Sequence, residues 1–199
     1  KTLRKYKTRL QGHPERKALP GIESTSGPLG EGLSQAAGYA WTLKYCDANP
    51  HRFVYCVQGD GELNEGNVWE AAMFAAKYSL GQLITIIDRN FIQIDGLTED
   101  VMPLGDLAGK WRSFGWHVLE VNGHSIGALL NAIEEAKAVV DRPTAIIANT
   151  IPGKGVRFME YDFGWHGKPP SARQNEEWLD GLSNPAAGFD YKAAEKEAK

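Results

Sequence analysis

The sequence predicts an α/β domain with a doubly wound, mostly parallel sheet that carries helices on both faces. Four short segments are apolar at most positions rather than strictly alternating, which is typical of strands buried on both faces. Helical segments separate several of them, so strands and helices alternate along the chain. At 199 residues the chain is long enough for one such domain with a sizeable core. The predicted strands are residues 53–57, 83–88, 116–121 and 144–149.

The predicted helices fill the spaces around these strands. Residues 1–9 are basic and partly apolar, and we expect a helix there and another over about residues 30–45. Residues 65–78 have apolar side chains at helical spacing, and so do residues 126–139, where Ser125 is suited to cap the helix N-terminus.

The remaining segments predict one domain with a tail. Residues 151–173 are rich in Gly, Pro and aromatic residues and are expected to form a long loop. We assign residues 1–185 to the domain and residues 186–199, which are mostly Ala, Glu and Lys, to a helical tail. Because the sequence begins at Lys1 rather than at a methionine, we expect that upstream residues either were removed or are absent from this sequence.

Bulk composition excludes several classes of protein. The net charge of −3 disfavours a nucleic-acid binder, which needs a basic face. We find no apolar stretch approaching the roughly 18 residues that cross a bilayer, and no secretory signal. Cys46 and Cys56 lack the spacing of a metal pair, and we expect both to be reduced core thiols of a cytoplasmic protein.

A Gly-Asp-Gly run directly follows the first predicted strand, within the sequence Gln58-Gly59-Asp60-Gly61-Glu62. The carboxyl end of a parallel strand faces the crevice in which ligands bind. Glycine lets backbone N–H groups approach a phosphate, and a carboxylate suits Mg²⁺, which takes oxygen ligands from protein, phosphate and water. Taken alone, the run also fits an ordinary turn.

The second predicted strand favours the ligand-binding interpretation. Asn90 follows this strand, thirty residues after Asp60. Adjacent parallel strands that are joined by one helix bring their carboxyl ends side by side. The Asn90 amide oxygen and the backbone carbonyl of Ile92 are therefore candidates to bind the same cation as Asp60.

Further motifs surround these residues in a fixed order. They read Gly12-His13-Pro14-Glu15, Thr25-Ser26-Gly27-Pro28-Leu29-Gly30-Glu31-Gly32, Gly61-Glu62-Leu63-Asn64-Glu65-Gly66, Ile94-Asp95-Gly96 and Gly115-Trp116-His117-Val118. With the Gly-Asp-Gly run and Asn90, they resemble the fingerprint of thiamine-diphosphate enzymes and, among these, the motifs of transketolases. The resemblance covers about residues 4–170.

The resemblance implies a site for thiamine diphosphate and a divalent metal, Mg²⁺ or another cation such as Ca²⁺ or Mn²⁺. Asp60, Asn90 and the Ile92 carbonyl would hold the metal, and Gly61 would meet the diphosphate. The full set expected at this end of the cofactor is Gly59, Asp60, Gly61, Glu62, Asn90 and Ile92.

The resemblance also implies residues near the cofactor rings and the substrate. Gly27 and Leu29 match the stretch along the aminopyrimidine and thiazolium rings, and His13 matches an active-site histidine. Glu65 matches a carboxylate in the network that connects paired active sites, and Glu70 is a weaker match. Taken singly, His13 also fits a surface loop, and Glu65 also suits the positive end of the following helix.

By resemblance, the expected reaction transfers a two-carbon ketol unit from a ketose phosphate to an aldose phosphate, in the pentose phosphate pathway. The family completes its site with a second, pyrimidine-binding domain, which supplies a carboxylate for the aminopyrimidine and arginines for the substrate phosphate. We find no such domain in this sequence. We therefore expect a partner domain or subunit, as in split transketolases, and a dimer or heterotetramer; a shortened single-chain enzyme is the alternative.

Two motifs depart from the family pattern. The upstream Ser-x-Gly-His motif, which carries another active-site histidine, is absent, and this supports the expectation of a missing front end. Single-chain transketolases often have two histidines where this sequence reads Phe163-Gly164-Trp165-His166-Gly167. Aligning the glycines places His166 at the second position and Phe163 at the first, so His166 is a candidate substitute.

Three alternatives remain at this stage. Other thiamine enzymes, such as deoxyxylulose-phosphate synthase and 2-oxo acid dehydrogenases, share Gly-Asp-Gly and a later Asn, although the Gly-Pro-Leu-Gly-Glu-Gly motif favours transketolase. A nucleotide-binding oxidoreductase would need Gly-x-Gly-x-x-Gly after its first strand. A non-catalytic paralogue or fragment would keep the fold without the activity.

Overall fold

The computed structural model describes residues 2–47 and 51–183. Its helices and strands, in chain order, are α1 (Glu31–Thr42), β1 (Val54–Gly59), α2 (Gly66–Lys77), β2 (Leu83–Arg89), β3 (Ile92–Gln93), β4 (Gly96–Leu97), α3 (Thr98–Val101), α4 (Leu107–Ser113), β5 (His117–Asn122), α5 (Ile126–Ala138), β6 (Thr144–Asn149) and α6 (Ala172–Ser183). A π-helical turn over Leu43–Asp47 continues α1, and 3₁₀ turns occur at Gly61–Asn64 and Phe163–Trp165.

Four strands form a parallel sheet in the order β1–β2–β6–β5, which confirms the predicted fold class and all four predicted strands. The register pairs Gly59 with Asp88 and pairs Arg89 with Asn149. The carboxyl ends of β1, β2 and β6 therefore lie side by side, and the polar residues that follow β1 and β2 meet there.

The helices cover both faces of this sheet, as predicted. On one face, Leu83 and Ile87 of β2 pack in the larger core with residues of α1, α2 and α4. On the opposite face, Ile84 and Ile146 pack with Ala136 of α5. Successive side chains of a strand point to opposite faces, so burial on both faces explains why β2 is apolar at consecutive positions.

The predicted helix at the start of the chain is wrong. Residues 2–9 form turns, in which Arg4 and Lys7 have positive φ angles of 59° and 62°. Tyr6 is 90% exposed, so the segment buries no apolar stripe against the domain. A short helix without such packing is marginal in water, which explains why its local pattern does not produce one.

Several small elements were not predicted. The antiparallel hairpin β3–β4 and the helices α3 and α4 are each too short for periodicity to reveal. The segment expected to be a long loop is irregular up to α6, except for its 3₁₀ turn. The predicted tail over residues 186–199, and the domain boundary before it, lie outside the described residues and remain predictions.

No helix within residues 2–47 and 51–183 combines the length and the apolar character needed to cross a membrane. Both cysteines are free, and Cys56 is buried as expected. The expectation that Cys46 is a core residue is wrong, because Cys46 lies exposed in the π-helical turn after α1. The two thiols therefore have opposite environments.

Cys56 is predicted to be chemically inert in the folded protein. Its burial, together with the negative charge of Glu62, raises the pKa of the thiol to about 12, and the thiolate is the reactive form. At pH 8 we expect a thiol reagent to modify Cys46 rapidly and Cys56 only after denaturation. Cys46→Ser should abolish the rapid phase, whereas rapid modification of both thiols in the native protein would contradict the prediction.

Gly30, at the N-terminus of α1, is predicted to be intolerant of substitution. It has a φ of 81°, and a Cβ there would lie 2.9 Å from Cβ of Glu65. We expect Gly30→Ala to lower the free energy of unfolding by about 1–2 kcal/mol from the left-handed backbone alone, measured by urea denaturation.

The matched control is Gly38→Ala within α1, where an added Cβ meets nothing within 4 Å. Removing a helical glycine at an open position should stabilise the protein by roughly 0.5–1 kcal/mol. If Gly30→Ala were as stabilising as Gly38→Ala, the close approach of α1 to Glu65 would not constrain the fold.

Candidate functional site

The residues predicted to bind the metal and the diphosphate follow the carboxyl ends of β1 and β2. The backbone N–H of Asp60 donates to the Asp88 carbonyl at 3.2 Å, continuing the strand pairing into the turn. The backbone N–H of Phe91 donates to Asp60 Oδ2 at 2.8 Å. The structure therefore brings the Gly-Asp-Gly turn directly against the segment that contains Asn90 and Ile92.

The Asp60 carboxylate is buried, with 1% of the residue exposed, and its two oxygens have different environments. Besides Phe91, Oδ2 accepts from Arg89 Nη1 at 2.8 Å and from the Thr98 hydroxyl at 3.3 Å. Among the described residues, Oδ1 accepts only from the Gly61 N–H, at 2.7 Å. An ionised carboxylate oxygen has about two acceptor positions, so Oδ1 retains one for a cation.

The side chain of Asn90 is oriented by its neighbours. Its Nδ2 donates to Asp88 Oδ2 at 3.0 Å, and its Oδ1 accepts from the Ile92 N–H at 3.1 Å. The Thr150 hydroxyl donates to the other carboxylate oxygen of Asp88 and so fixes that carboxylate. These bonds present the amide oxygen of Asn90, rather than its nitrogen, to the turn after the strand.

These oxygens fit a diphosphate-bound Mg²⁺. The Ile92 carbonyl lies 3.9 Å from the position of a Cβ on Gly61, so it borders the same turn as Asp60. A carboxylate, an amide and a carbonyl oxygen suit a cation that takes further ligands from phosphate and water. Within the described chain no group of three His, Cys, Asp or Glu side chains could hold a metal.

Glu62 joins this corner to the start of α1. Its Oε1 accepts from the Gly30 N–H at 2.8 Å, and its Oε2 accepts from the Gly59 N–H at 3.2 Å. In this arrangement the Gly59 N–H donates to Glu62, and the expected role of Gly59 in cofactor binding remains a prediction. Glu65, at the N-terminus of α2, is exposed, and its stem packs against Gly30.

A cleft of about 1060 Å³ lies beside this corner, between the loop before α1 and the outer strand β1. His13, Gly27, Leu29 and Glu62 line it together, whereas Asp60, Asn90 and Ile92 are not among its lining residues. A Cβ on Gly27 would lie 3.3 Å from Cγ of His13, so the imidazole packs directly on the glycine backbone.

Backbone contacts hold this wall of the cleft in place. The Ser26 N–H donates to the Pro14 carbonyl at 3.1 Å, and the Arg16 N–H donates to the Thr25 hydroxyl at 3.2 Å. Leu29 is 60% exposed, so an apolar side chain faces the open cleft. The cleft therefore combines a histidine with an apolar wall, which suits a ligand with aromatic rings.

Two predicted residues lie apart from these groups. His166 is exposed and ends the 3₁₀ turn Phe163–Trp165, which lies next to β4 rather than in the cleft lining. Glu70 is exposed on α2 and is likewise outside the cleft lining. The structure therefore does not join either residue to His13.

Sequence reasoning missed three residues that hold Asp60 in place: Arg89, Thr98 and Glu99. Arg89 Nη2 donates to Glu99 Oε1 at 2.5 Å while Nη1 binds Asp60. Burial opposes ionisation of Glu99, but hydrogen bonds from Arg89 and from the Gly105 and Leu104 N–H groups lower the pKa of its carboxyl. The signal in the sequence was a basic residue at the end of a mostly apolar strand, next to Asp88.

Comparisons with known proteins identify the family of this chain. The family described as "Transketolase, thiamine diphosphate binding domain" matches residues 1–190. The 6-deoxy-6-sulfo-D-fructose transketolase subunit SqwG of Clostridium sp. (strain MSTE9) is 42% identical over 165 residues, which cover 83% of this chain and 59% of that protein. An apulose-4-phosphate transketolase subunit of Phocaeicola vulgatus is 41% identical over 176 residues, covering 88% and 62%.

A solved structure gives the same result for the fold. The transketolase of Campylobacter jejuni superimposes with a TM-score of 0.75 at 32% identity, covering 81% of this chain and 26% of that one. The chain thus spans about three fifths of the two subunits, by the 59% and 62% coverage, and about a quarter of the solved transketolase. The matched family, the ordered motifs and the parallel fold agree: the chain belongs to the transketolase family and contains its thiamine-diphosphate-binding domain.

Proposed function

We propose that this chain supplies the diphosphate- and metal-binding half of a transketolase active site. The observation that carries the proposal is the Asp60 carboxylate, which is buried beside a Gly-rich turn and keeps an acceptor position on Oδ1. Asp60 Oδ1, Asn90 Oδ1 and the Ile92 carbonyl would bind a divalent cation, preferably Mg²⁺, although Ca²⁺ and Mn²⁺ also take oxygen ligands. Gly61 would lie against the diphosphate.

The cleft beside this corner would receive the rest of the cofactor. Gly27 and Leu29 form a wall that suits the aminopyrimidine and thiazolium rings, and His13 packs on Gly27 at the same wall. When bound, thiamine diphosphate supplies carbanion chemistry at the donor carbonyl. His13 would donate and accept protons at the oxygens of the transferred two-carbon unit.

The reaction proposed is ketol transfer from a ketose phosphate to an aldose phosphate, as in the pentose phosphate pathway. Two relatives carry names that specify 6-deoxy-6-sulfo-D-fructose and apulose 4-phosphate, so these sugars are the first alternative donors to test. Use of pyruvate instead would favour a different thiamine enzyme. Cofactor binding without turnover by the complete assembly would favour a non-catalytic paralogue.

We also propose that a pyrimidine-binding subunit or domain completes the site, in a dimer or heterotetramer. Both relatives named above are described as subunits, and this supports a split enzyme. Exposed carboxylates on α2 and at its N-terminus, Glu70 and Glu65, are candidates for the network between paired sites. His166 remains a proposed substitute for the family histidine, although it ends a 3₁₀ turn that lies next to β4. The free cysteines support a cytoplasmic location.

The metal site is tested by calorimetric titration of thiamine diphosphate, with the partner subunit present, in Mg²⁺ and in EDTA. We expect binding to require Mg²⁺, and we expect both Asp60→Ala and Asp60→Asn to weaken it by more than about 100-fold. This exceeds the 10- to 100-fold losses that follow changes outside the ligand set. Asp60→Asn removes the charge of the buried side chain while keeping its volume.

Asp141→Asn is the control for this experiment. Asp141 is an exposed carboxylate that pairs with Arg142. It precedes β6 and so lies near the amino-terminal ends of the strands, away from the site at their carboxyl ends. Its neutralisation should leave cofactor affinity unchanged. Unchanged affinity in folded Asp60→Asn would remove Asp60 as a metal ligand and would contradict the proposed function.

A further inference from the structure

We propose that Arg89 is a positioning residue for the metal site: it holds one oxygen of Asp60 so that the other faces the cation. This inference rests on the proposed function and deepens it. Arg89 matches none of the expected ligands, yet it ends β2 between Asp88 and Asn90. Its contacts account for the orientation of a carboxylate that a cation site requires.

The guanidinium of Arg89 is fixed on three sides. Its side chain is 8% exposed, and its two terminal nitrogens bond Asp60 Oδ2 at 2.8 Å and Glu99 Oε1 at 2.5 Å. Its central carbon lies 4.1 Å from the centroid of the Phe91 ring, so the aromatic face covers the cation. A planar group held in this way offers its partners a single geometry.

This geometry makes the two oxygens of Asp60 unequal. Oδ2 accepts from Arg89, Phe91 N and Thr98 Oγ1, so its acceptor positions are filled. Oδ1 accepts within the described chain only from Gly61 N. Rotation of the carboxylate would break the bonds at Oδ2, so Arg89 and its co-donors determine which oxygen is presented to the Gly61 turn.

Glu99 explains how a positive residue is tolerated beside a cation site. Asp60, Arg89 and Glu99 together carry a net charge of −1, so an incoming cation still meets a negative group. Glu99 is itself held by the N–H groups of Leu104 at 3.3 Å and Gly105 at 3.2 Å. The chain Glu99–Arg89–Asp60 therefore ties the loop after α3 to the metal ligand, in the way that outer residues orient metal ligands elsewhere.

The test measures the Kd of Mg²⁺ at saturating thiamine diphosphate, with the partner subunit present, for the unmutated chain and for three variants. Arg89→Ala should raise the Kd by about 10- to 100-fold. Arg89→Lys should raise it less, because an ammonium keeps the charge but lacks the fork that reaches both carboxylates. Glu99→Gln should also raise it, since Asp60 and Arg89 alone carry no net negative charge to attract the cation.

The control is Arg142→Ala, which removes an exposed arginine near the amino-terminal ends of the strands and should leave the Kd unchanged. Circular dichroism and urea denaturation establish that each variant is folded. A purely structural role for Arg89 would lower the urea midpoint while leaving the Kd of the folded protein within about twofold, a change of roughly 0.4 kcal/mol.

The outcomes separate this inference from the proposed function. Weaker Mg²⁺ binding by folded Arg89→Ala, with partial rescue by Arg89→Lys, supports the positioning role. An unchanged Kd in both overturns it while leaving the metal site intact. If Arg89→Ala does not fold, unchanged Kd values in Arg89→Lys and Glu99→Gln overturn it equally. Failure of the unmutated assembly to bind the cofactor with Mg²⁺ overturns the proposed function and this inference together.

Discussion

The burial of one negative charge, the Asp60 carboxylate, constrains the arrangement of the whole site. An ionised carboxylate with 1% exposure costs several kcal/mol unless it is paired and hydrogen-bonded. Its donors come from β2, from the turn after β2, from the start of α3 and from its own turn. Satisfying this group therefore brings three parts of the chain together: the Gly-Asp-Gly turn, the end of β2 with the residues that follow it, and the start of α3.

The same corner positions the rest of the proposed cofactor site. Glu62 follows Asp60 by two residues and connects the end of β1 to the loop before α1 through Gly59 and Gly30. That loop carries Gly27 and Leu29 and packs against His13. A single short turn thus connects the proposed metal ligands on one side to the cleft on the other, which explains why the Gly-Asp-Gly-Glu sequence is informative.

Much of the fold follows from local patterns. The strands are buried on both faces, so their continuous apolar runs identify them, and the principal helices between them show clear periodicity. The juxtaposition of Asp60 and Asn90 also follows, because parallel topology alone brings adjacent strand ends together. The family was predicted from motifs that occur in a fixed order, whereas composition alone did not identify it.

The remaining features depend on contacts between distant segments, to which local patterns are insensitive. The hairpin β3–β4 has two residues in each strand, too few for an alternating pattern to be visible in the sequence. Arg89 was not predicted to have a role, because only the fold shows that its guanidinium bridges Asp60 and Glu99. The helix expected over residues 1–9 failed for the converse reason, since a helical pattern with nothing to pack against is not stable.

The most direct test of the proposed metal site is to locate Mn²⁺ by its anomalous scattering in crystals grown with thiamine diphosphate and the partner subunit. We expect a peak bounded by Asp60 Oδ1, Asn90 Oδ1 and the Ile92 carbonyl, each at about the 2.1 Å typical of octahedral oxygen ligands, with Arg89 still bound to Asp60 Oδ2. A peak at another site, or a cation coordinated without Asp60, would contradict it.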